Sequence, residues 1–180
     1  YVQKDFVRLS KNYVLDENFM VTNTEIGQKA ASWETTGDFA LAHNGVLYND
    51  KEVRREKCLP DTHIETDSYV AAQLLEQAES SDMDSVKNIA EVVDGSFVFT
   101  ILRDDNTLFL VKGSNPITLY HFPTVGLYVY ASTTDILNKA LKSARFTEPF
   151  EEVRVITCDI VSIDSKGNIS FGNFEYMENY

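Results

Sequence analysis

The feature that most constrains this chain is the stretch over residues 39–50, where an apolar run leads into His-Asn-Gly and a second short apolar run follows. Asn-Gly between two apolar runs is a strong signal for a β-hairpin, because both residues tolerate positive φ. The same pair can instead present polar groups, namely the Asn44 side-chain amide and the Gly45 backbone N–H. Two convergent N–H donors can stabilise a developing oxyanion. Taken alone, the stretch leaves both interpretations open.

Hydrophobic periodicity along the rest of the chain predicts a mixture of hairpins and helices. Residues 1–38 show no regular hydrophobic periodicity, so their secondary structure is the hardest to predict. Several antiparallel hairpins with helices in two groups indicate an α+β layered domain. With no internal repeat and no linker, residues 1–180 are expected to form a single domain. We predict helices over 51–57, 66–77, 85–92 and 134–143, and strands over 39–42, 96–102, 107–111, 117–122, 127–131, 153–163 and 169–171.

Composition narrows the classes of function. The 180 residues include 28 acidic and 16 basic side chains, for a net charge of −12. This charge argues against binding to nucleic acid or to anionic membranes, since both require clustered Lys and Arg. No apolar run approaches the length of a membrane-spanning helix. The two cysteines, Cys58 and Cys158, show neither metal-ligand spacing nor a disulfide framework, which favours the reducing cytoplasm. No metal and no other cofactor is expected.

A second polar motif, Glu65–Ser68, follows about twenty residues later at the start of a predicted helix. A Thr-Asp pair at a helix N-terminus is a good cap and interacts favourably with the helix dipole. The Asp67 carboxylate could instead bind a substrate. As with Asn44 and Gly45, the local pattern leaves both interpretations open.

The two motifs in this order and at this spacing resemble the glutaminase domain of class II glutamine amidotransferases, which are N-terminal-nucleophile hydrolases. The resemblance extends from about residue 39 to residue 171. It implies a four-layer αββα sandwich with two antiparallel sheets packed face to face. Three later segments are also similar to family patterns: Val93–Phe97, Lys112–Ile117 and Tyr130–Ser132.

The resemblance also implies roles for particular residues. Asn44 and Gly45 resemble the oxyanion hole, and Asp67 resembles the carboxylate that binds the α-amine of glutamine. Thr66 and His43 are expected beside the substrate, with His43 framing the site rather than transferring protons. The nucleophile in this family is a cysteine at the mature N-terminus, and its own α-amine serves as the base. A free amine titrates near pH 8 and can therefore take a thiol proton at neutral pH.

The nucleophile is the main departure from the family pattern. Residue 1 is Tyr, and neither Cys58 nor Cys158 falls where the family has its nucleophile. The family typically begins Cys-Gly-Ile-x-Gly-Tyr-Val, and Tyr1-Val2 matches the end of that phrase. On this interpretation the cysteine is not present in the 180 residues.

The Arg that binds the α-carboxylate of glutamine is the second departure. The family carries it in an "R-x-A-T-x-G" segment, and residues 32–37 match only the tail of that segment. Trp33 and Thr35 fall in register and are therefore candidate substrate contacts, but the Arg is absent. The alternative is that residues 32–37 are simply the turn before the next strand.

Three hypotheses follow. The leading one is a glutaminase domain that releases ammonia through a thioester, with glutamine as substrate and an acceptor-synthase domain or subunit as partner. The second is a catalytically inactive relative that binds an amino acid or acts as a regulatory protein. The third is an N-terminal-nucleophile hydrolase acting on a different amide. A homo-oligomer is compatible with each hypothesis.

Overall fold

The computed structural model describes residues 39–78 and 82–175. Its helices are α1 (Asp50–Glu56), α2 (Ser68–Gln77), α3 (Met83–Val92) and α4 (Thr134–Ser143). Its strands are β1 (Phe39–Leu47), β2 (Gly95–Arg103), β3 (Leu108–Lys112), β4 (Thr118–Phe122), β5 (Leu127–Ala131), β6 (Glu151–Val153), β7 (Asp159–Ile163) and β8 (Ile169–Asn173).

The strands form two antiparallel sheets. The larger sheet has the order β1-β2-β3-β7-β8, and the smaller has the order β5-β4-β6. A buried apolar cluster joins the two sheets, since Leu119 of β4 packs with Leu110 of β3 and with Val161 and Ile163 of β7. Burial of side chains at this interface removes apolar area from water and holds the sheets face to face.

Helices cover the outer faces of both sheets. α3 packs against β7 and β8 of the larger sheet and against α2, while α4 packs against β5 of the smaller sheet. Beneath α4, Leu137 joins Tyr120 and Phe122 in a second buried cluster. The predicted α+β fold, a four-layer αββα sandwich with two antiparallel sheets, is confirmed.

A boundary between two units of the chain lies between Ala40 and Leu41. The helices and strands from Leu41 onward belong to the second unit. Because residues 1–38 lie outside the described ranges, the single domain over residues 1–180 stays a prediction. No helix in the described ranges is long and apolar enough to cross a membrane.

The hairpin interpretation of Asn44-Gly45 is wrong, because β1 continues through both residues to Leu47. Gly45 has φ +152°, and a Cβ at this position would lie 1.8 Å from the carbonyl oxygen of Ser96 in β2. Gly95 has φ +145°, and its Cβ would lie 2.1 Å from the carbonyl oxygen of Val46. The two backbones approach too closely for any side chain, so the glycines permit close approach instead of a turn.

The single strand predicted over residues 153–163 is also wrong. β6 belongs to the smaller sheet and β7 to the larger one. Between them Cys158 has φ +72°, and the Asp159 carboxylate accepts a hydrogen bond from the backbone N–H of Ile156 at 2.8 Å. Cys158 therefore precedes the strand in which it was predicted to lie. Glu151 and Glu152 of β6 are exposed, whereas β7 has the buried residues Ile160, Val161 and Ile163. Residues 154–158 lie in no strand, but Val153 and Val155 continue the apolar pattern into β7, and periodicity does not reveal the change of sheet.

Candidate functional site

A cavity of about 300 Å³ opens where β1 and β2 meet the segment before β4 and the end of β5. Its wall is largely apolar, with a few amide, imidazole and hydroxyl groups, which is typical of a small-molecule site. His43 and Asn44 of β1 both lie on the wall. The lining residues are Ala42, His43, Asn44, Val98, Thr100, Pro116, Ile117, Tyr130, Ala131 and Ser132.

The main chain of Asn44 is held by the segment that leads into β4. Its carbonyl oxygen accepts a hydrogen bond of 2.7 Å from the side-chain amide of Asn115. The Lys112 ammonium in turn donates to the carbonyl of Asn115 at 2.9 Å. The side-chain amide of Asn44 makes no hydrogen bond to any residue in the described ranges. Its N–H groups are therefore available to a ligand in the cavity.

Asp67 lies directly before α2, but its carboxylate does not cap the helix. One oxygen, Oδ2, accepts a hydrogen bond of 2.6 Å from the backbone N–H of Leu47 at the end of β1. The other, Oδ1, accepts a hydrogen bond of 3.3 Å from the Ser68 hydroxyl. Asp67 thus holds the N-cap position, but a capping hydrogen bond from its side chain is wrong. The half-buried carboxylate is bonded instead to the strand that carries Asn44.

His43 lies in β1 and is half-buried where this strand meets the start of α2. Its Nδ1 lies 2.8 Å from the Ser68 hydroxyl, and its ring centroid lies 5.0 Å from that of Phe99. Burial lowers the pKa of His43 below its ordinary value of 6.5, although the Asp67 charge and the Ser96 backbone act in the opposite direction. The ring is therefore mainly neutral at pH 7.

Asn49 secures the chain where it leaves β1. Asn49 is the residue directly before α1, but its side chain makes no capping hydrogen bond. The Asn49 amide instead donates to the carbonyl of Val92 at 2.9 Å, and its oxygen accepts from the N–H of Asp94 at 2.8 Å. The backbone N–H of Tyr48 also donates to the carbonyl of Asp94 at 2.8 Å. The Asn49 side chain therefore fixes the loop after the site, whereas its backbone carbonyl starts α1 by accepting from the N–H of Val53 at 2.9 Å.

The remaining predicted residues take different positions. Thr66 is half-buried in the turn before α2, next to Asp67. Gly45 follows Asn44 in β1 but is not on the cavity wall. Trp33 and Thr35 lie outside the described residues.

Neither cysteine in the sequence lines the cavity. Cys58 is exposed in the loop after α1, and Cys158 is half-buried directly before β7. Within the residues that the structure describes, no cluster of His, Cys, Asp or Glu could hold a metal ion.

Sequence reasoning missed two residues that contact the site. Ser68 contacts both His43 and Asp67, and Asn115 contacts Asn44. Each lies inside a segment already recognised as a motif, which was the available signal. Nothing in the local pattern indicated which distant residue each would reach.

A family described as a glutamine amidotransferase domain matches residues 17–139, more than half of the chain. The chain belongs to this family. The predicted membership of the class II glutamine amidotransferases is therefore confirmed.

Two curated relatives are glutamine–fructose-6-phosphate aminotransferases. That of Lactococcus lactis is 26% identical over 144 residues, covering 75% of this chain and 23% of the relative. That of Bacillus cereus is 28% identical over 138 residues, covering 64% of this chain and 22% of the relative. The chain thus spans about a quarter of the length of these relatives.

Two solved structures share the fold. The glutamine phosphoribosylpyrophosphate amidotransferase of B. subtilis has a TM-score of 0.62 and 21% identity, with 79% of this chain and 30% of that chain covered. An allosteric regulatory enzyme of purine biosynthesis has a TM-score of 0.63 and 21% identity, with 82% and 30% covered. At this identity the likeness establishes the fold alone.

Proposed function

We propose that this domain hydrolyses the side-chain amide of glutamine to glutamate and ammonia. The observation that carries the proposal is the position of the Asp67 carboxylate. It accepts no capping hydrogen bond from the backbone of α2, and its Oδ2 accepts instead from the backbone N–H of Leu47 in β1, the strand that presents Asn44 to the cavity. The Asp67 carboxylate and the Asn44 side-chain amide are therefore both held by β1.

The two ends of glutamine would be bound by different residues. Asp67 would bind the α-ammonium group, and Thr66, His43, Trp33 and Thr35 would line the substrate. Attack on the side-chain amide places negative charge on its carbonyl oxygen. The side-chain N–H of Asn44 and the backbone N–H of Gly45 would donate to that oxygen, which is the kind of stabilisation that contributes most to acyl transfer.

The nucleophile in this proposal is a cysteine at the N-terminus of the mature protein. Its sulfur would bond to the amide carbon, and the nitrogen would leave as ammonia after accepting a proton that the α-amine had taken from the thiol. Water would then cleave the thioester and release glutamate. Neither Cys58 nor Cys158 lines the cavity, and neither is the cysteine of this proposal.

The ammonia would be used by an acceptor-synthase domain or subunit. The relatives named above are glutamine-dependent aminotransferases about four times the length of the matched region. We propose that this domain acts in the cytoplasm and supplies ammonia to an acceptor site on another part of the protein or on a partner.

The test uses the natural full-length gene product. Its N-terminus and intact mass are determined, glutamate release from glutamine is measured, and the protein is treated with a cysteine-directed glutamine analogue. We expect a processed N-terminal cysteine, glutamate release, and labelling of that cysteine with loss of activity. Glutamine binding in calorimetry with no turnover and no labelling would overturn hydrolysis and support the non-catalytic alternative.

A panel of other side-chain and peptide amides tests glutamine specificity. Because Asp67 would contact the α-ammonium group, Asp67→Ala should reduce turnover of glutamine much more than turnover of an amide that lacks this group. Equal losses on all amides would instead support a hydrolase of a different amide.

A further inference from the structure

Ser68 joins two residues of the site that lie on different elements. It is the first residue of α2 and is half-buried. Its hydroxyl oxygen lies 2.8 Å from Nδ1 of His43 and 3.3 Å from Oδ1 of Asp67. His43 belongs to β1, whereas Asp67 and Ser68 belong to the start of α2.

The single proton of the hydroxyl determines how these hydrogen bonds are directed. An ionised carboxylate can only accept, so the Ser68 hydroxyl has to donate to Asp67. With its proton used there, the same oxygen can only accept from His43, and Nδ1 of His43 therefore carries a hydrogen. Both hydrogen bonds can thus be made at once, in the order His43 to Ser68 to Asp67.

In this arrangement both oxygens of Asp67 are linked to β1, one directly and the other through the Ser68 hydroxyl. Oδ2 accepts from the backbone N–H of Leu47 in β1, and Oδ1 accepts from a hydroxyl that is itself bonded to His43 in β1. One hydrogen bond would leave the carboxylate free to rotate about its Cβ–Cγ bond. Two hydrogen bonds fix its plane before a substrate arrives, which reduces the ordering needed on binding.

We propose that Ser68 is a positioning residue for the amino group of the substrate. Its hydroxyl holds the Asp67 carboxylate against His43, so that the carboxylate faces an ammonium group in a fixed orientation. This inference rests on the proposed function, in which Asp67 binds the α-ammonium group. It adds a residue that contacts no reacting atom and that affects recognition of the amino group alone.

The experiment compares two dicarboxylates that differ in the amino group. Dissociation constants for L-glutamate and for glutarate are measured by calorimetry with the natural full-length protein and with Ser68→Ala, Ser68→Thr and Asp67→Asn. Product-like ligands are chosen because their binding does not depend on turnover. Ser68→Thr is the matched control, since it keeps the hydroxyl while changing the rest of the side chain.

We expect Ser68→Ala to weaken glutamate binding about 3- to 10-fold, the range for loss of one net hydrogen bond, and to leave glutarate binding unchanged. Ser68→Thr should restore most of the preference for glutamate. Equal weakening of both ligands in Ser68→Ala would show a merely structural role and overturn the inference.

The two levels of the proposal can fail separately. If Asp67→Asn abolishes the preference for glutamate while Ser68→Ala keeps it, Asp67 binds the amino group without help from Ser68, and only this inference is overturned. If the natural protein itself binds glutamate no more tightly than glutarate, recognition of the amino group by Asp67 is overturned, and the role of Ser68 with it.

Discussion

The side-chain amide of Asn115 donates a hydrogen bond of 2.7 Å to the backbone carbonyl of Asn44, across 71 positions in the sequence. It joins the segment before β4 to the strand that presents Asn44 to the cavity. Because the bond is made to the main chain, it fixes the backbone position of Asn44 and leaves the Asn44 side chain available. Orientation of a catalytic donor depends on such supporting contacts.

Replacement of Asn115 by Ala should therefore affect turnover more than substrate binding. We expect kcat for glutamine to fall about 3- to 10-fold with little change in KM, because the loss of one hydrogen bond loosens Asn44 and leaves Asp67 in place. Steady-state kinetics of glutamate release measure both constants. Asn138→Ala is the matched control, since the Asn138 side chain accepts from the hydroxyl of Tyr120 at 3.2 Å in a different layer. Equal losses in both variants would contradict a specific role for Asn115.

Removal of the Asn44 side-chain amide tests the oxyanion hole directly. Asn44→Ala should lower kcat by about 10²–10³-fold, the usual effect of deleting one donor of this kind. Its unfolding free energy should change by less than about 0.5 kcal/mol, because the side chain is exposed and makes no hydrogen bond to a described residue. Asn44→Asp keeps the shape and replaces the donor by an acceptor, so it should be as inactive as Asn44→Ala. Near-normal turnover in either variant would exclude Asn44 from the oxyanion hole.

The ionisation of His43 predicts a pH dependence of stability. Burial lowers the folded-state pKa below the ordinary value of 6.5, while the unfolded chain keeps that value. As pH falls below about 6.5, the unfolded state takes up a proton before the folded state does, and the unfolding free energy decreases. The loss stops below the folded-state pKa, where both states are protonated.

Chemical denaturation between about pH 7.5 and about pH 5, a range that spans the titration of an ordinary histidine, measures this effect as a difference between the natural protein and His43→Gln. We expect His43→Gln to show a smaller decrease over this range. His63→Gln is the control, because it replaces an exposed histidine and leaves His43 and its contacts in place. A decrease of the same size in the natural protein and in His43→Gln would contradict the lowered pKa.

The sequence predicted those parts of the fold that local chemistry determines. β5 and α4 have the predicted bounds because a turn with Gly126 precedes β5 and the Thr133 hydroxyl caps α4, accepting from the N–H of Ile136 at 3.3 Å. The division of residues 153–163 between two sheets was not predictable in this way. Only Val153 of this range lies in β6, residues 154–158 lie in no strand, and the positive φ of Cys158 falls on a residue that gives no turn signal.

The candidate site shows the same division between local and long-range information. Asn44 and Asp67 were predicted from motifs, because each motif places the relevant group within a few residues. The contacts that orient them connect His43 with Ser68 across 25 positions and Asn44 with Asn115 across 71. These pairs meet because the folded chain brings β1 close to the start of α2 and to the segment before β4, and no sequence period encodes that arrangement.

The close approach of β1 and β2 predicts a large cost for a methyl group at Gly45. Gly45→Ala would place Cβ 1.8 Å from the carbonyl oxygen of Ser96 at φ +152°, so the strands have to separate. Gly126→Ala is the matched control, because Gly126 has φ +63° and a Cβ added there would meet nothing within 4 Å. The control should cost only the backbone strain, about 1–2 kcal/mol, whereas Gly45→Ala should cost at least about 2 kcal/mol more. Urea denaturation of both variants gives the two free energies. If Gly45→Ala is no less stable than Gly126→Ala, then β1 and β2 do not approach this closely, and Gly45 is not required by packing.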